Sequence, residues 1–423
     1  MSNNWPPPPG QPPGPPPGPY PPQYPPQYPP QRTGPQFAGA PGPAMMPPSK
    51  AMGAGFVLQM LGLGCGGLFT VVAAALLGLL FVVELGIPTL IAAVLLAFIP
   101  CVVYMSVVLL IDRYDPEPPW VLALAFVWGA VIAIFGALII NDTTSYLAAQ
   151  AGGQAAGEFV GAVISAPIAE EAMKGTGLLI LLLALRREFD GVVDGIVYAC
   201  VIALGFATVE NVLYYGRGIH EAGLGGGIVL FVLRGMMSPF AHPLFTSMTG
   251  IGLGVAREQK RGIWVWIAPV MGYCAAVLLH ATWNFVAGIS SGENAGLFFL
   301  VYLLGWIPAF LCFLTAIGFC LYRERKIIRL YLYDEVVVGV LSPQEYVEVT
   351  SLRKRMAFHW RGFSKGGFAG YRSAKAFSKA ATKLALSKWH TLKANQRQAE
   401  TRSLSMIPVL RQELDARRAA LSG

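Results

Sequence analysis

The sequence predicts an all-α membrane protein, a polytopic bundle of about eight transmembrane helices. Three observations carry that expectation. The chain is 54% hydrophobic and only 13% charged, whereas soluble domains carry about a quarter charged residues. From about Gly55 to Tyr322 it is a succession of apolar runs, each near the roughly 20 residues that a helix needs to cross hydrocarbon. Lys and Arg collect in alternate connections between those runs, as they do in proteins threaded through a bilayer.

Residues 1–50 precede the first run. They are dominated by Pro, Gly, Gln and Tyr, with Pro-Pro-Gln-Tyr-Pro-Pro-Gln-Tyr-Pro-Pro at 21–30. Such a segment cannot bury enough apolar surface to offset its ordering entropy, so a disordered arm with polyproline II character is expected. A docking arm for an unidentified partner is the alternative to a plain solvated tail. Because the first apolar run begins only after this tract, no cleavable signal peptide is expected at the start.

Eight spans are read, at about 56–83, 88–111, 119–141, 159–185, 193–215, 228–256, 263–287 and 296–322. Arg113 lies between the second and third, Arg186 and Arg187 between the fourth and fifth, and Arg257, Lys260 and Arg261 between the sixth and seventh. Arg323, Arg325 and Lys326 follow the eighth, and Arg217 is the exception in the other connections. The positive-inside rule then puts both termini in the cytoplasm of a plasma-membrane protein. Richness in Pro, Gly and Ala points to a bacterial source. Three domains are expected: the arm at 1–50, a transmembrane domain at 51–325 and a helical cytoplasmic tail at 326–423.

In the tail, Asp334, Glu335, Glu345 and Glu348 mark a mixed stretch, and a basic stretch from Arg353 to Arg397 holds no acidic residue. Phe358, Trp360, Phe363, Phe368, Tyr371, Phe377 and Trp389 are interleaved with its cations. That pattern suits a helix lying on an anionic leaflet, each basic residue adding about 1 kcal/mol. Nucleic acid attracts the same charges, but no recognised motif supports it, so no nucleic-acid partner is expected. The cysteines Cys65, Cys101, Cys200, Cys274, Cys312 and Cys320 scatter through apolar runs without a C-x-x-C pair. They read as small buried hydrophobes, and no disulfide frame or zinc ribbon is indicated.

Ionisable side chains are expensive in hydrocarbon and usually face a protein interior or a water-filled cavity. The runs nevertheless hold Glu170, Glu171 and Lys174 on the fourth span, Glu210 and Asn211 on the fifth, His242 on the sixth, and His280 and Asn284 on the seventh. Counted from the arginine-bearing connections, Glu171 and His242 stand about 14 residues up and Glu210 and His280 about 17, roughly 21 and 26 Å. Four antiparallel helices thus bring these groups to one level, as a single shared site requires. Glu170 and Lys174 are i and i+4 and stack on one helix face. Glu171 points about 100° away, so one carboxylate is held by Lys174 while the other faces the site. His280 and Asn284 share a face by the same spacing, and Asn284 is placed to orient the ring or bind substrate backbone. Pro239 and Pro243 around His242 should break or kink its span, which is tolerated at membrane depth where the backbone lines a cavity.

Glutamates and histidines shielded from water supply the parts for activating a water molecule. Two histidines and a carboxylate also make a zinc site with an open fourth position. A transporter or an ion- or proton-conducting protein uses the same residue types, and the residues alone leave these readings open. No clear internal repeat of the transporter kind is found, and the H-E-x-x-H of membrane zincins is absent.

Five strings add a further expectation. Glu170-Glu171-x-x-Lys174, Phe189-Asp190 with Asp194 to Tyr198, Gly205 to Asn211, the single His242, and His280 with Asn284 follow one another in the chain, after Asp112-Arg113-Tyr114-Asp115-Pro116-Glu117-Pro118. In order and spacing they resemble the motifs of the PrsW family of intramembrane proteases, part of the wider group of CAAX-protease and bacteriocin-processing enzymes. The likeness covers about residues 100–325 and says nothing of the arm or the tail. It departs at Asn284, where some members carry Asp, which speaks against a base there. The resemblance implies a peptidase that cuts single-span, membrane-anchored proteins, an anti-sigma factor among them, through a metal or through glutamate alone. On this likeness Glu171 is expected to be the water-activating base and Glu170 the carboxylate paired with Lys174. His242 and His280, with Glu171 or Glu210 as the carboxylate, are then the candidate metal ligands, with zinc as the candidate ion, and Glu210, Asn211 and Asn284 are further catalytic groups.

Overall fold

The structure is a computed structural model that describes residues 54–186, 188–238, 240–259, 261–289, 295–396 and 403–422. The arm at 1–50, and Arg187, Pro239 and Lys260 from the orientation and kink readings, lie outside the described residues. Residues 1–60 and 61–423 form two units. Only the helical last residues of the first are described, and the helix bundle belongs to the second.

No strand occurs among the described residues, in keeping with the all-α expectation. Helices α1 (Ala54–Leu85) and α2 (Ile87–Ile111) are separated by Gly86. A π-helical turn at Trp128–Ala133 joins α3 (Pro119–Val127) to α4 (Ile134–Gly152). The next leg is α5 (Gln154–Phe159), a π-helical turn at Val160–Ser165, and α6 (Ala166–Ala184). Helix α7 (Val192–Leu230) breaks at Ala222 and Gly223 and runs into a third such turn at Phe231–Met237, before α8 (Ala241–Gln259). Then come α9 (Trp264–Ile289), α10 (Ala295–Val301), a π-helical turn at Tyr302–Trp306, and α11 (Ile307–Val337). The tail is α12 (Pro343–Thr350), α13 (Leu352–Gln396) and α14 (Ser403–Ser422).

Six of these helical stretches are long and apolar enough to cross a membrane by length and composition, against the eight spans expected. The difference lies in two places. Val192–Gln259 qualifies as one stretch although it contains two of the expected spans. The α5–α6 leg does not qualify, because Glu170, Glu171 and Lys174 interrupt its apolar run. Side chains on the outer helices are left pointing outward in an apolar belt, Val83 at 76% exposure and Trp266 at 78% among them. Hydrocarbon solvates such a belt, and water does not.

Helix α7 is the axis of the bundle. From Ile196 to Phe206 every residue is buried, because its sequence is apolar on all faces and small enough for neighbours to close in. At Gly195 the approach of α8 is so close that a Cβ would lie 2.2 Å from the carbonyl oxygen of Gly250. Only glycine permits that backbone contact. It draws α8, and with it His242, against the helix that carries Glu210.

One end of the bundle is tied by polar contacts between connections. Arg257 donates to the carbonyl oxygens of Phe189 (2.7 Å) and Arg186 (2.5 Å), and Arg323 to Glu258 (2.6 Å). The Tyr198 hydroxyl donates to Glu117 at 2.6 Å, and its ring stacks on Phe189. Asp112 accepts the backbone N–H of Glu117 at 2.8 Å. The Asp112 carboxyl is pushed up to about 7, first by burial, with the Asp115 carboxylate adding to it and Lys379 opposing. Folding therefore favours its protonated form. This group's contribution to stability is complete below the ordinary carboxylate pKa of about 4 and is lost as pH rises through about 7. The Asp112→Asn chain should accordingly gain thermal stability over the wild type as pH is raised from 5 to 8, on the order of 1–3 kcal/mol, with little difference at pH 4. Paired melting curves across that range test it, and a difference that shrinks with rising pH would refute it.

The tail packs on this same end. Helix α11 runs unbroken through the expected boundary at 325/326, and Ile328, Leu332, Phe377, Leu384, Leu410 and Leu414 form a buried core of their own. Arg355 donates to the carbonyl oxygen of Tyr114 at 2.9 Å, and Lys388 reaches Asp334 at 2.5 Å and also Glu335. Much of the basic stretch expected to lie on lipid is thus engaged with protein.

Candidate active site

Four legs meet around a cavity of about 340 Å³ lined by Glu170, Glu210, Arg234, His242, His280 and Asn284, among others. Helix α6 supplies Glu170, α7 supplies Glu210, α8 supplies His242 and α9 supplies His280 and Asn284. Lys174 sits beneath them, fully buried, with its ammonium 4.0 Å from the centre of the Phe206 ring. It donates to Glu171 at 2.9 Å, to Glu170 at 3.3 Å and to His242 Nδ1 at 3.1 Å.

An ammonium only donates, so His242 Nδ1 accepts and its Nε2–H is given to Glu210 Oε2 at 2.9 Å. His280 Nδ1 lies 3.1 Å from Glu171 Oε1, a carboxylate oxygen, so Nδ1 is the nitrogen that donates there, and the neutral ring would keep its lone pair on Nε2. That Nε2 is 3.9 Å from Glu170 Oε2. The two imidazole rings stand edge to face with centres 5.2 Å apart, and Phe245 stacks on His280 at 5.0 Å.

The expected division of labour between the two glutamates is reversed in space. Glu171, expected to face the site, does not line the cavity: Lys174 and His280 hold its Oε1, and the Thr246 hydroxyl donates to its Oε2 at 2.8 Å. Glu170, expected to be the one held by Lys174, is the carboxylate that faces the cavity, and its contact with Lys174 is the longer of the two. The physical reason is packing: α8 and α9 present Thr246 and His280 to the inner oxygens, which fixes the rotation of α6. Asn284 lines the cavity but is turned from His280, donating to the Ala162 carbonyl oxygen at 2.9 Å in the π-helical turn of the α5–α6 leg. Asn211 is occupied too, accepting from Arg234 at 2.9 Å.

Arg234 is the site residue that reading the sequence missed. It binds Glu210 at 2.6 Å and lies over the Tyr214 ring at 3.7 Å. A lone cation inside the apolar run from Gly227 to Pro243 was the available signal, and Thr246, four residues after His242, was another. Two backbone irregularities aim this region inward. Arg234 lies in the π-helical turn at Phe231–Met237, and Phe240, with φ 58°, stands in the left-handed region just before His242. A bulky residue held there costs on the order of 1–3 kcal/mol, an outlay that clusters at functional sites.

Known proteins carry the same stretch. Residues 117–313 match the family described as PrsW family intramembrane metalloprotease. Protease PrsW of Geobacillus kaustophilus is 30% identical over 205 residues, 48% of this chain and 83% of that relative. The chain belongs to the PrsW family. Protease PrsW of Bacillus subtilis and of Clostridioides difficile are each also 30% identical, over 191 and 198 residues, covering 78% and 77% of those proteins. No solved structure matches. The ionisable residues of the site, from Glu170 to His280, and Asn284 fall inside the stretch matched to the PrsW family, while Ala97, Pro100, Cys101 and Tyr104 of the cavity wall, the arm and α12–α14 fall outside it. As a PrsW-family member with bacterial relatives and, among the described residues, six helical stretches able to cross a membrane, the chain is a bacterial intramembrane peptidase.

The family description implies a metal, and the residues present fit one. Glu170, rather than the expected Glu171 or Glu210, joins His242 and His280: each offers one ligand atom, all within 4.8 Å of one another. Two imidazoles and a carboxylate are a donor set that zinc accepts, leaving a fourth position open. Lys174 shares two of these three donors, Glu170 and His242, so its ammonium and a bound ion compete for them.

Proposed function

We propose that the chain hydrolyses a peptide bond of a single-span, membrane-anchored protein, with Glu170 as the group that takes and returns the proton of the attacking water. One observation carries this reading: Glu170 is the carboxylate that both lines the cavity and faces Nε2 of His280, at 3.9 Å. That separation is too long for a direct hydrogen bond and leaves both atoms able to accept from one water. Glu170 then receives a proton as the water oxygen attacks the scissile carbonyl carbon, and delivers it to the amine nitrogen as the C–N bond breaks. Lys174 balances the charge of the carboxylates beside it. Glu171 holds His280 in its tautomer, and Arg234 holds Glu210, which does the same for His242.

Ala162, Ala166, Ala207, Gly235, Ala287 and Gly288 also line the cavity. Small side chains there leave room for an unwound stretch of substrate backbone, which suits a helix opened at membrane depth. An anti-sigma factor is the example that the family likeness implies. The charge rule places both termini in the cytoplasm, with the tail from about residue 326 as a cytoplasmic domain and the arm at 1–50 as a separate one.

The proximity of the three donors favours a second reading, in which Glu170, His242 and His280 hold a divalent ion. When bound, that ion would supply Lewis-acid activation of the water. Full-length protein in lipid nanodiscs, a fluorophore-tagged single-span substrate, elemental analysis and a chelator separate the two. The glutamate reading expects cleavage that survives chelation with no stoichiometric metal. One equivalent of metal, with activity lost to the chelator and restored by zinc, overturns it in favour of the ion.

A further inference from the structure

The basic stretch of α13 divides into two parts with different surroundings. Helix α13 is a hairpin: it reverses at Gly366 and Gly367, the latter with φ 58°, and a Cβ on Gly362 would lie 2.6 Å from the Gly370 carbonyl oxygen. The returning arm is fastened at three points on one end of the bundle, two in connections and one in the last turn of α8. Lys379 reaches the Pro116 carbonyl, Lys383 pairs with Glu188 at 3.5 Å, and Lys393 with Glu258 at 3.2 Å. A helix that touches the ends of three separate helix pairs lies across the bundle end. From Lys379 back to the turn is about 12 residues, roughly 18 Å of helix, more than one helix diameter beyond the last of those fastenings.

What projects there is chemically distinct. Residues 363–369 are all exposed, and Met356, Trp360, Phe363 and Phe368 present 54%, 62%, 44% and 68% of their surface. Around them stand Arg353, Lys354, Lys365 and Arg372, for which no ion pair occurs among the described residues. By contrast Arg361, Lys379, Lys383, Lys388 and Lys393 all pair with carboxylates of the chain. Exposed rings among unpaired cations, with no acidic residue from Arg353 to Arg397, complement a layer of phosphates over hydrocarbon.

We propose that the tip of the α13 hairpin is a membrane-surface anchor, seating Trp360, Phe363 and Phe368 among the headgroups of anionic lipid beside the bundle. The anchor requires only that the bundle spans a membrane, and is independent of peptide hydrolysis. The full chain is placed in nanodiscs whose lipids carry dibrominated acyl chains, either phosphatidylcholine alone or with phosphatidylglycerol. The Trp360 component is the fluorescence difference between wild type and Trp360→Phe. It should be quenched at least about twofold more in the anionic discs. Replacing Arg353, Lys354 and Lys365 together by Gln should weaken partitioning on the order of 100-fold and return quenching to the phosphatidylcholine level. A Trp360 component unquenched in both lipids, as for a tip in water or on an acidic soluble protein, overturns the proposal. Equal quenching in both removes the anionic lipid from it.

Discussion

The Glu170→Gln chain should cleave a single-span substrate about 1,000-fold more slowly than wild type while melting within a few degrees of it. Glutamine keeps the shape of the side chain and an oxygen for Lys174 to donate to at the position where it now sits, 3.3 Å away. It cannot accept the water proton. Glu171→Gln is the informative comparison, because the two residues are adjacent in sequence and differ in surroundings. Glu171 is fully buried and reaches the chemistry only through His280 and Lys174. Its loss should cost about 10–100-fold, the scale of losing the partner that orients a working imidazole. Single-turnover rates with saturating enzyme read both variants. A larger loss at Glu171 than at Glu170 would return the base role to Glu171.

Lys174→Met should produce the largest loss of stability. The ammonium is fully buried and is the cation closest to both Glu170 and Glu171. Removing one partner of a buried ion pair costs about 3–5 kcal/mol, because the carboxylate left behind keeps its desolvation cost without its compensation. Methionine fills the volume, so a cavity term adds little. The double variant Lys174→Met with Glu171→Gln should recover part of the loss, since the orphaned charge goes with the lysine. Thermal midpoints in one detergent for the two singles and the double close that cycle. A single variant as stable as wild type would show that Lys174 does not bear the charge of these carboxylates.

The helices and their convergence were legible because hydrocarbon imposes two readable constraints, length and avoidance of charge. Glu170, Glu171, Lys174, Glu210, His242 and His280 violate the second on four separate runs, and the structure brings them into one network of hydrogen bonds. Which glutamate faces the cavity was not legible. The helical repeat sets the angle between Glu170 and Glu171, but the rotation of α6 is decided by Thr246 and His280 on other helices. The tail failed to read for a related reason: the acids that meet Lys383 and Lys393 are distant in sequence, Glu188 in the α6–α7 connection and Glu258 in the last turn of α8. A cation with no acid nearby in sequence looks free for lipid until the fold supplies one.

The three charges on α6 bear on how the chain enters the bilayer. A charged residue at the centre of a lone helix disfavours insertion by about 2.5–3.5 kcal/mol, and each Leu or Ile returns only about 0.3–0.6. The α5–α6 leg therefore has little reason to partition into lipid as it leaves the ribosome. Lys174 balances its two carboxylates only in part, and the remaining hydrogen-bond partners of these side chains, Thr246, His242 and His280, are synthesised some 70 to 110 residues later. Its passage into the membrane is therefore expected to be late and collective, with α8 and α9 supplying the partners that its own leg lacks.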